Sequence, residues 1–311
     1  MHRLVVAAVV FAQLQTRPAL RAAETAPPPV TPAVVVPDGA KELLGCWKSD
    51  SDAGTFIKIE AARVVSSDAG QLGAFAAKVE PGKVTLSSMG SKFTVKAEIK
   101  DGKLVWETRE GHGQILTRLK EEPEVLKLKA LALGVKKPTD EVVKEIQKEL
   151  AARMDQDQAV RKNKAQQADM GKVDQDNTAY VTKIVREYGW IDVQRFGAQG
   201  SEAAFLIVQH SGKLPLMLAA LPEIEKDTKA GRLHDGDSFA LLYDRTKLMM
   251  GEKQRYGSQI GQSGGGEPVV LPLEDRTKVE QYRKEIGMIP LTQYLAMFEQ
   301  RFGKKIRFLD E

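Results

Sequence analysis

Ser201–His210 reads Ser-Glu-Ala-Ala-Phe-Leu-Ile-Val-Gln-His, an apolar run that ends in an amide and an imidazole. Leu241–Arg245 reads Leu-Leu-Tyr-Asp-Arg, and Gly251–Gln259 follows as Gly-Glu-Lys-Gln-Arg-Tyr-Gly-Ser-Gln. Polar groups beside core-forming runs cost free energy unless they are hydrogen-bonded or used. The segments within residues 201–259 therefore predict a polar site. We expect the rest of the chain to be arranged around them.

The chain around this stretch has the period of amphipathic helices. A helix is predicted to start at Pro138-Thr139-Asp140, because the apolar residues that follow recur at helical spacing. Ser201 is interpreted as the N-cap of the apolar helix that ends at His210. Further helices are predicted over Val173–Tyr188, Leu214–Lys229, Val279–Ile286 and Leu291–Phe302. Lys247–Ser258 predicts a hairpin that turns at Gly251-Glu252, and His234 is expected to be an ordinary residue of a polar loop.

The region before the helices alternates with the period of β-strands. Alternating segments include Thr55–Ile59, Phe93–Ile99 and Gln114–Leu119. Asp101-Gly102 is a two-residue hairpin signal. Gly45-x-Trp47 opens the first strand as it does in small lipocalin-like barrels, and Trp47 and Trp106 are expected to fill the core.

These patterns predict an α+β protein in which a small antiparallel β-barrel precedes a mainly helical domain that carries a short β-hairpin. Residues 1–23 have the basic start, apolar core and small residues of a signal peptide, which predicts a secreted or periplasmic protein. The predicted segments are the signal peptide at 1–23, a Pro/Ala-rich tether at 24–40, the barrel at 41–121, a connector at 122–138 and the helical domain at 139–303. No segment after the signal peptide is expected to form a stable membrane span.

Composition excludes several functional classes. The formal net charge of +4 includes three arginines of the predicted signal peptide, so the mature chain is close to neutral and nucleic acid is not an expected partner. The single cysteine, Cys46, excludes an intramolecular disulfide. The four histidines are scattered and give no metal-ligand spacing, so neither a metal nor a cofactor is predicted.

Several short motifs of the helical half together resemble one family. They are Asp157-Gln158-x-x-Arg161, Asp176-Asn177, Tyr188-Gly189-Trp190, Gln209-His210, Asp244-Arg245 and Gln254-x-Tyr256-Gly257-Ser258-Gln259. This set is similar to the uncharacterised bacterial family called domain of unknown function 6624, over about residues 142–302. The chain departs from the family pattern at Ile191, where Pro is usual, and at Ser258, where Thr is usual. The resemblance implies a domain and no known reaction.

His210 is the main candidate for proton transfer, because a base needs an orienting partner and Asp244 or Asp157 is available to accept from its ring. His210 and Asp244 are therefore the candidate catalytic residues. The candidate ligand-binding residues are Asp157, Arg161, Asn177, Gln209, Arg245, Gln254, Tyr256 and Gln259. We expect His210 to lie within hydrogen-bond reach of Asp157, Asp244, Gln254 or Tyr256.

Two functions are compatible with these residues. The first is a binding domain for a small anionic molecule or a protein partner, which is favoured because the sequence shows no nucleophile and no metal site. The second is a metal-independent hydrolase or lyase that acts on a small anionic substrate with His210 as general base. Convergence of the candidate residues on one open cleft would distinguish a site from a buried polar network.

Overall fold

The computed structural model describes residues 34–68, 71–88, 90–108, 113–162, 168–263 and 265–309. A closed barrel comes first and a helical region with a small sheet follows, which confirms the predicted α+β class. The predicted signal peptide lies outside the described residues. In the described ranges, no helix combines the length and the apolar character needed to cross a bilayer.

The described chain divides into two compact units. The first contains Ala130–Leu242 and Lys284–Met288. The second contains the residues up to Lys129, together with Tyr243–Arg283 and the residues from Ile289 onward. The division at Lys129 falls inside the predicted connector, and the second unit groups the barrel with C-terminal segments of the helical region.

Eight antiparallel strands close the barrel, each paired with its neighbour in sequence. They are β1 Gly45–Ser49, β2 Phe56–Ile59, β3 Arg63–Asp68, β4 Gln71–Glu80, β5 Lys83–Ser88, β6 Ser91–Lys100, β7 Lys103–Glu107 and β8 Gly113–Leu119. The barrel closes where β1 pairs with β8. Asp101 and Gly102 both have positive φ, at 50° and 74°, as a tight hairpin between β6 and β7 requires.

The two barrel tryptophans fill the core, as predicted, with Trp47 at 0% and Trp106 at 6% exposure. The indole Nε1–H of Trp47 donates to the carbonyl oxygen of Leu43 at 3.0 Å. The guanidinium of Arg118 lies 4.1 Å from the Trp47 ring and donates to the carbonyl oxygen of Leu44 at 2.7 Å. Arg118 thus joins β8 to the chain that enters β1.

The helices of the first unit are α1 Asp140–Lys162, α2 Met170–Tyr188, α3 Val193–His210 and α4 Leu214–Lys229, and α5 Gly236–Met249 continues into the second unit. The inner face of α1 buries Ile146, Leu150 and Val160. Helix α3 packs against α1, α2 and α4, which agrees with its apolar composition. The predicted bounds of α4 are confirmed.

The predicted N-cap of α3 is wrong. This helix begins at Val193, because the carboxylate of Asp192 accepts from the amides of Gln194 and Arg195, both at 3.0 Å. The helix is interrupted at Gly197, whose φ is 69°. Ser201 lies inside the helix with 0% exposure, so its hydroxyl is available to another side chain.

The predicted hairpin at Lys247–Ser258 is also wrong. Helix α5 extends to Met249, and the turn at Gly251 follows a helix instead of joining two strands. The antiparallel hairpin lies further on, in β9 Ile260–Gln262 and β10 Pro268–Val270. The remaining elements are α6 Val279–Glu285, α7 Leu291–Phe302 and β11 Arg307–Phe308, which pairs in parallel with β10.

Candidate functional site

The imidazole of His210 lies against the carboxylate of Asp157. The distance from Nδ1 of His210 to Oδ1 of Asp157 is 3.1 Å, and the two side chains are 9% and 1% exposed. Asp157 lies on the buried side of α1, and His210 is the last residue of α3, which packs on α1. The predicted contact between His210 and one of four candidate partners is therefore present, and the partner is Asp157.

Two neighbouring side chains hold the Asp157 carboxylate in place. Arg161, one helical turn further along α1, has Nη1 at 3.0 Å from Oδ1 of Asp157. Gln158 donates from Nε2 to Oδ2 at 2.9 Å. The other terminal nitrogen of Arg161, Nη2, donates to Oδ1 of Asp174 at 2.6 Å. Two carboxylates thus share one guanidinium, and the cluster carries no excess positive charge.

Two further candidates lie in the same unit. Asn177 on α2 is 1% exposed, and its Oδ1 accepts from Nη1 of Arg153 at 3.1 Å. Gln209 precedes His210 on α3 and is 5% exposed. Asn177 therefore connects α2 to α1, while Gln209 is buried and next to His210 in sequence.

Asp244 occupies a different setting, in the second unit. Its carboxylate is fully buried and accepts from the backbone amides of Arg255 at 2.8 Å, Tyr256 at 3.1 Å and Ser258 at 2.9 Å. Burial raises the pKa of Asp244, and the three amide donors act against that rise. The carboxylate thereby fixes the backbone path from Arg255 to Ser258.

The glutamines of this segment also bind its own backbone. Gln254 donates from Nε2 to the carbonyl oxygens of Gln259 at 3.1 Å and Leu271 at 2.9 Å. The Oε1 of Gln254 accepts from the amide of Gln259 at 2.9 Å. Arg245 donates from Nε to Oε1 of Gln259 at 3.2 Å. These side chains form a loop-building network.

Tyr256 is 5% exposed, and its ring meets that of Tyr243 edge-on at 5.5 Å. Burial raises the pKa of Tyr243 to about 12 and raises that of Tyr256 as well. The carbonyl oxygen of Tyr256 accepts from Nη1 of Arg283 at 2.6 Å, and that of Ser258 accepts from the hydroxyl of Tyr294 at 2.9 Å. Both rings are therefore neutral, packed components of this network at neutral pH.

The candidate residues fall into two clusters, one in each compact unit. The first cluster contains Asp157, Arg161, Asn177, Gln209 and His210, and the second contains Asp244, Arg245, Gln254, Tyr256 and Gln259. Gln158 and Asp174 belong to the first cluster and were not predicted. Asp174 lies close to Arg161 because α2 packs beside α1. Residue spacing along a single helix does not predict this contact.

A second buried histidine was misjudged from the sequence. His234 is 3% exposed, not a surface loop residue, and its Nε2 lies 3.3 Å from Oγ of Ser201. Its ring also contacts Phe205 at 5.0 Å. Burial lowers the pKa of His234, and the carboxylates of Asp227 and Asp235 oppose that effect. The loop around His234 is polar except for Leu233, and so it does not indicate this burial.

A family model described as Family of unknown function (DUF6624) matches residues 144–307. The comparison with curated proteins gave no match, and neither did the comparison with solved structures. The matched range contains both clusters and extends over more than half of the chain. The motifs that suggested the resemblance lie within it, at the positions where the structure forms the His210–Asp157 pair and the loop around Asp244. The chain therefore belongs to this family of unknown function.

Proposed function

We propose that the chain is a metal-independent hydrolase or lyase in which His210 is the general base. The observation that carries this proposal is the 3.1 Å contact between Nδ1 of His210 and Oδ1 of Asp157. A buried carboxylate costs free energy unless it is paired. The carboxylate of Asp157 is placed where it can orient the imidazole, and this orientation is the support for a role in proton transfer.

Asp157 sets the protonation pattern of the ring. Because the carboxylate accepts a hydrogen bond from Nδ1–H, the lone pair of the neutral imidazole lies on Nε2. In a hydrolysis, Nε2 takes a proton from water as the water oxygen bonds to the substrate, and the imidazolium then returns that proton to the leaving group. In an elimination, Nε2 takes a proton from carbon, the electrons of that C–H bond form the new double bond, and the leaving group departs with its own bonding electrons.

Arg161 has the contacts of a positioning residue. Its two terminal nitrogens are engaged by Asp157 and Asp174, so an anionic ligand would have to displace a carboxylate. Arg245 in turn donates to Gln259. The sequence alone favoured the binding of a small anion. The contacts of the two arginines support base catalysis better. They also give no support for an anionic substrate over a neutral polar one.

We also propose that the protein is exported. The support is the sequence of residues 1–23 and the Pro/Ala-rich segment after it. Mass spectrometry of protein recovered from cells should find a mature N-terminus between Ala19 and Glu24. Recovery of the intact chain from Met1 in the cytosolic fraction would contradict export.

Hydrolysis of p-nitrophenyl acetate tests whether His210 acts as a base, because a reactive imidazole accelerates the transfer of the acetyl group of this ester to water. The rate is measured for the wild type, His210→Gln and Asp157→Asn, with circular dichroism to verify that each variant is folded. We expect His210→Gln to lose about a hundredfold in rate, the lower range for general-base catalysis, and Asp157→Asn to lose part of it.

His234→Gln is the matched control, since it makes the same substitution at another buried histidine. It should retain the wild-type rate once its fold is verified. Equal rates for the wild type and folded His210→Gln would contradict the proposal and leave the pair as a structural contact.

A further inference from the structure

A groove between α1 and α2 is lined by neither His210 nor Asp157. Its volume is about 530 Å³. The groove is lined by Glu149, Ala152, Arg153, Gln156, Asp176, Ala179, Tyr180 and Lys183. Small-molecule sites have volumes of about 300–1,000 Å³, so the groove is large enough for a small ligand.

The guanidinium of Arg153, which lines the groove, is held in place by three neighbouring side chains. Its Nη2 lies 2.8 Å from Oε1 of Glu149, one turn earlier on α1. Its Nη1 donates to Oδ1 of Asn177 at 3.1 Å. The guanidinium also lies 4.3 Å from the ring centroid of Tyr180. An arginine held in this way keeps its orientation before any ligand arrives.

Two buried donors next to the groove lack acceptors. Nε of Arg153 and Nδ2 of Asn177 are buried, and neither has a hydrogen-bond partner in the part of the chain that the structure describes. Asn177 is only 1% exposed. A buried N–H without an acceptor is unfavourable, so these two donors leave this side of the groove short of hydrogen-bond acceptors.

The charges of the lining balance. Glu149 and Arg153 pair with each other, whereas Asp176 and Lys183 are exposed and form no ion pair within the described ranges. Asp176 and Lys183 are two turns apart on the same side of α2, a rise of about 10 Å. Tyr180 adds no charge at neutral pH, and burial raises the pKa of its phenol further above the ordinary value of 10.0.

We propose that this groove binds a small zwitterion, of the size of an amino acid or a short peptide. The ligand carboxylate is attracted by the guanidinium of Arg153 and by Lys183, while its ammonium group is attracted by Asp176. A purely anionic ligand would meet the carboxylates of Glu149 and Asp176, and a purely cationic one would meet Arg153 and Lys183. A balanced lining therefore selects a ligand that carries both charges.

The test is an NMR titration of the full chain with the standard α-amino acids, diglycine and triglycine. The signals followed are Nε–H of Arg153 and the side-chain amide of Gln156. We expect saturable shifts with at least one of these zwitterions below about 10 mM. Acetate alone and methylammonium alone should bind at least about tenfold more weakly than that zwitterion.

Two exposed substitutions test the charges without disturbing the fold. Asp176→Asn and Lys183→Gln should each weaken binding about tenfold. Lys172→Gln, at another exposed lysine of α2 outside the lining, should leave binding unchanged. The proposal is overturned if no zwitterion of the set gives saturable shifts, if acetate binds as tightly as the zwitterions, or if both groove variants bind like the wild type.

Discussion

Asp157 and Asp244 are both buried carboxylates, at 1% and 0% exposure, but different groups stabilise them. Asp244 accepts from three backbone amides, and these hydrogen bonds organise a loop. Backbone amides do not titrate, so none of these three donors can exchange a proton with the carboxylate. Asp157 contacts the side chains of Arg161, Gln158 and His210. Only the second arrangement places an imidazole where a carboxylate orients it, so the proposed proton transfer rests on His210, whereas the contacts of Asp244 are those of a structural residue.

His234 should make the fold sensitive to mild acid. Burial lowers its pKa in the folded state below the ordinary value of 6.5, so the unfolded chain binds the proton more readily. Stability is therefore present above about pH 6.5 and is lost as the pH falls through the lowered pKa. Asp227 and Asp235 reduce this effect without reversing it. Urea unfolding of the wild type should give a smaller free energy of unfolding at pH 5 than at pH 7.5.

The matched variant for this prediction is His234→Gln, which removes the titrating group and retains a polar side chain. The difference in unfolding free energy between the two pH values should be smaller in this variant than in the wild type. An unchanged pH difference would show that His234 is not the group responsible.

At the scale of elements, Gly251 follows the end of α5 and lies directly against the barrel strand β4. Its φ is 72°, and a Cβ at this position would come within 2.6 Å of the carbonyl carbon of Phe75. The neighbouring Met250 forms a parallel bridge with Ala74 of β4. Both the left-handed backbone and the close approach therefore require glycine.

Gly251→Ala should destabilise the protein by about 2–4 kcal/mol, because it combines backbone strain with a clash against backbone atoms. Urea unfolding measures the loss. Gly82→Ala is the matched control, since Gly82 also has a positive φ, 74°, but its Cβ would meet no atom within 4 Å. A loss no larger than that of the control would contradict the close packing of Gly251 on β4.

The regular helices and the barrel were predictable from sequence, because each buries one face and the apolar period shows which face that is. The bounds of α7 and the turn at Asp101-Gly102 follow from such local signals. Helix α5 is not evident from the sequence because its buried positions include Asp244 and Thr246, so its apolar residues alone do not recur at helical spacing. Gly251 signalled a turn correctly, but positive φ is common to hairpins and helix ends.

The candidate site was predictable only in part. The apolar composition predicts the buried helix that ends at His210. The partner of His210, Asp157, is 53 residues away in sequence and was one of several possible acceptors. The sequence indicates Asp244 as a buried polar group, since it lies beside an apolar run. The three backbone amides that bind its carboxylate could not be predicted, because their positions depend on the path of the Arg255–Ser258 backbone and not on a pattern of side chains.

At the scale of the whole molecule, the second unit contains both the barrel and Tyr243–Arg283. A chain that starts at Glu122 should therefore lose amide-exchange protection in Tyr243–Arg283, because it lacks the strand that Met250 and Gly251 contact. Helices α1 to α4 of the same fragment are the internal control and should retain their protection. Full protection of Tyr243–Arg283 would instead support a helical domain that is stable on its own over 139–303.

The most direct test of the account is the ¹⁵N NMR spectrum of the His210 imidazole, at a pH where the ring is neutral. If Asp157 orients His210 as a base, Nδ1 carries the proton and Nε2 has the shift of an unprotonated ring nitrogen. Asp157→Asn should abolish this preference and give a mixture of the two tautomers. A wild-type ring protonated on Nε2, or a tautomer ratio that Asp157→Asn leaves unchanged, would contradict the assignment of His210 as the general base.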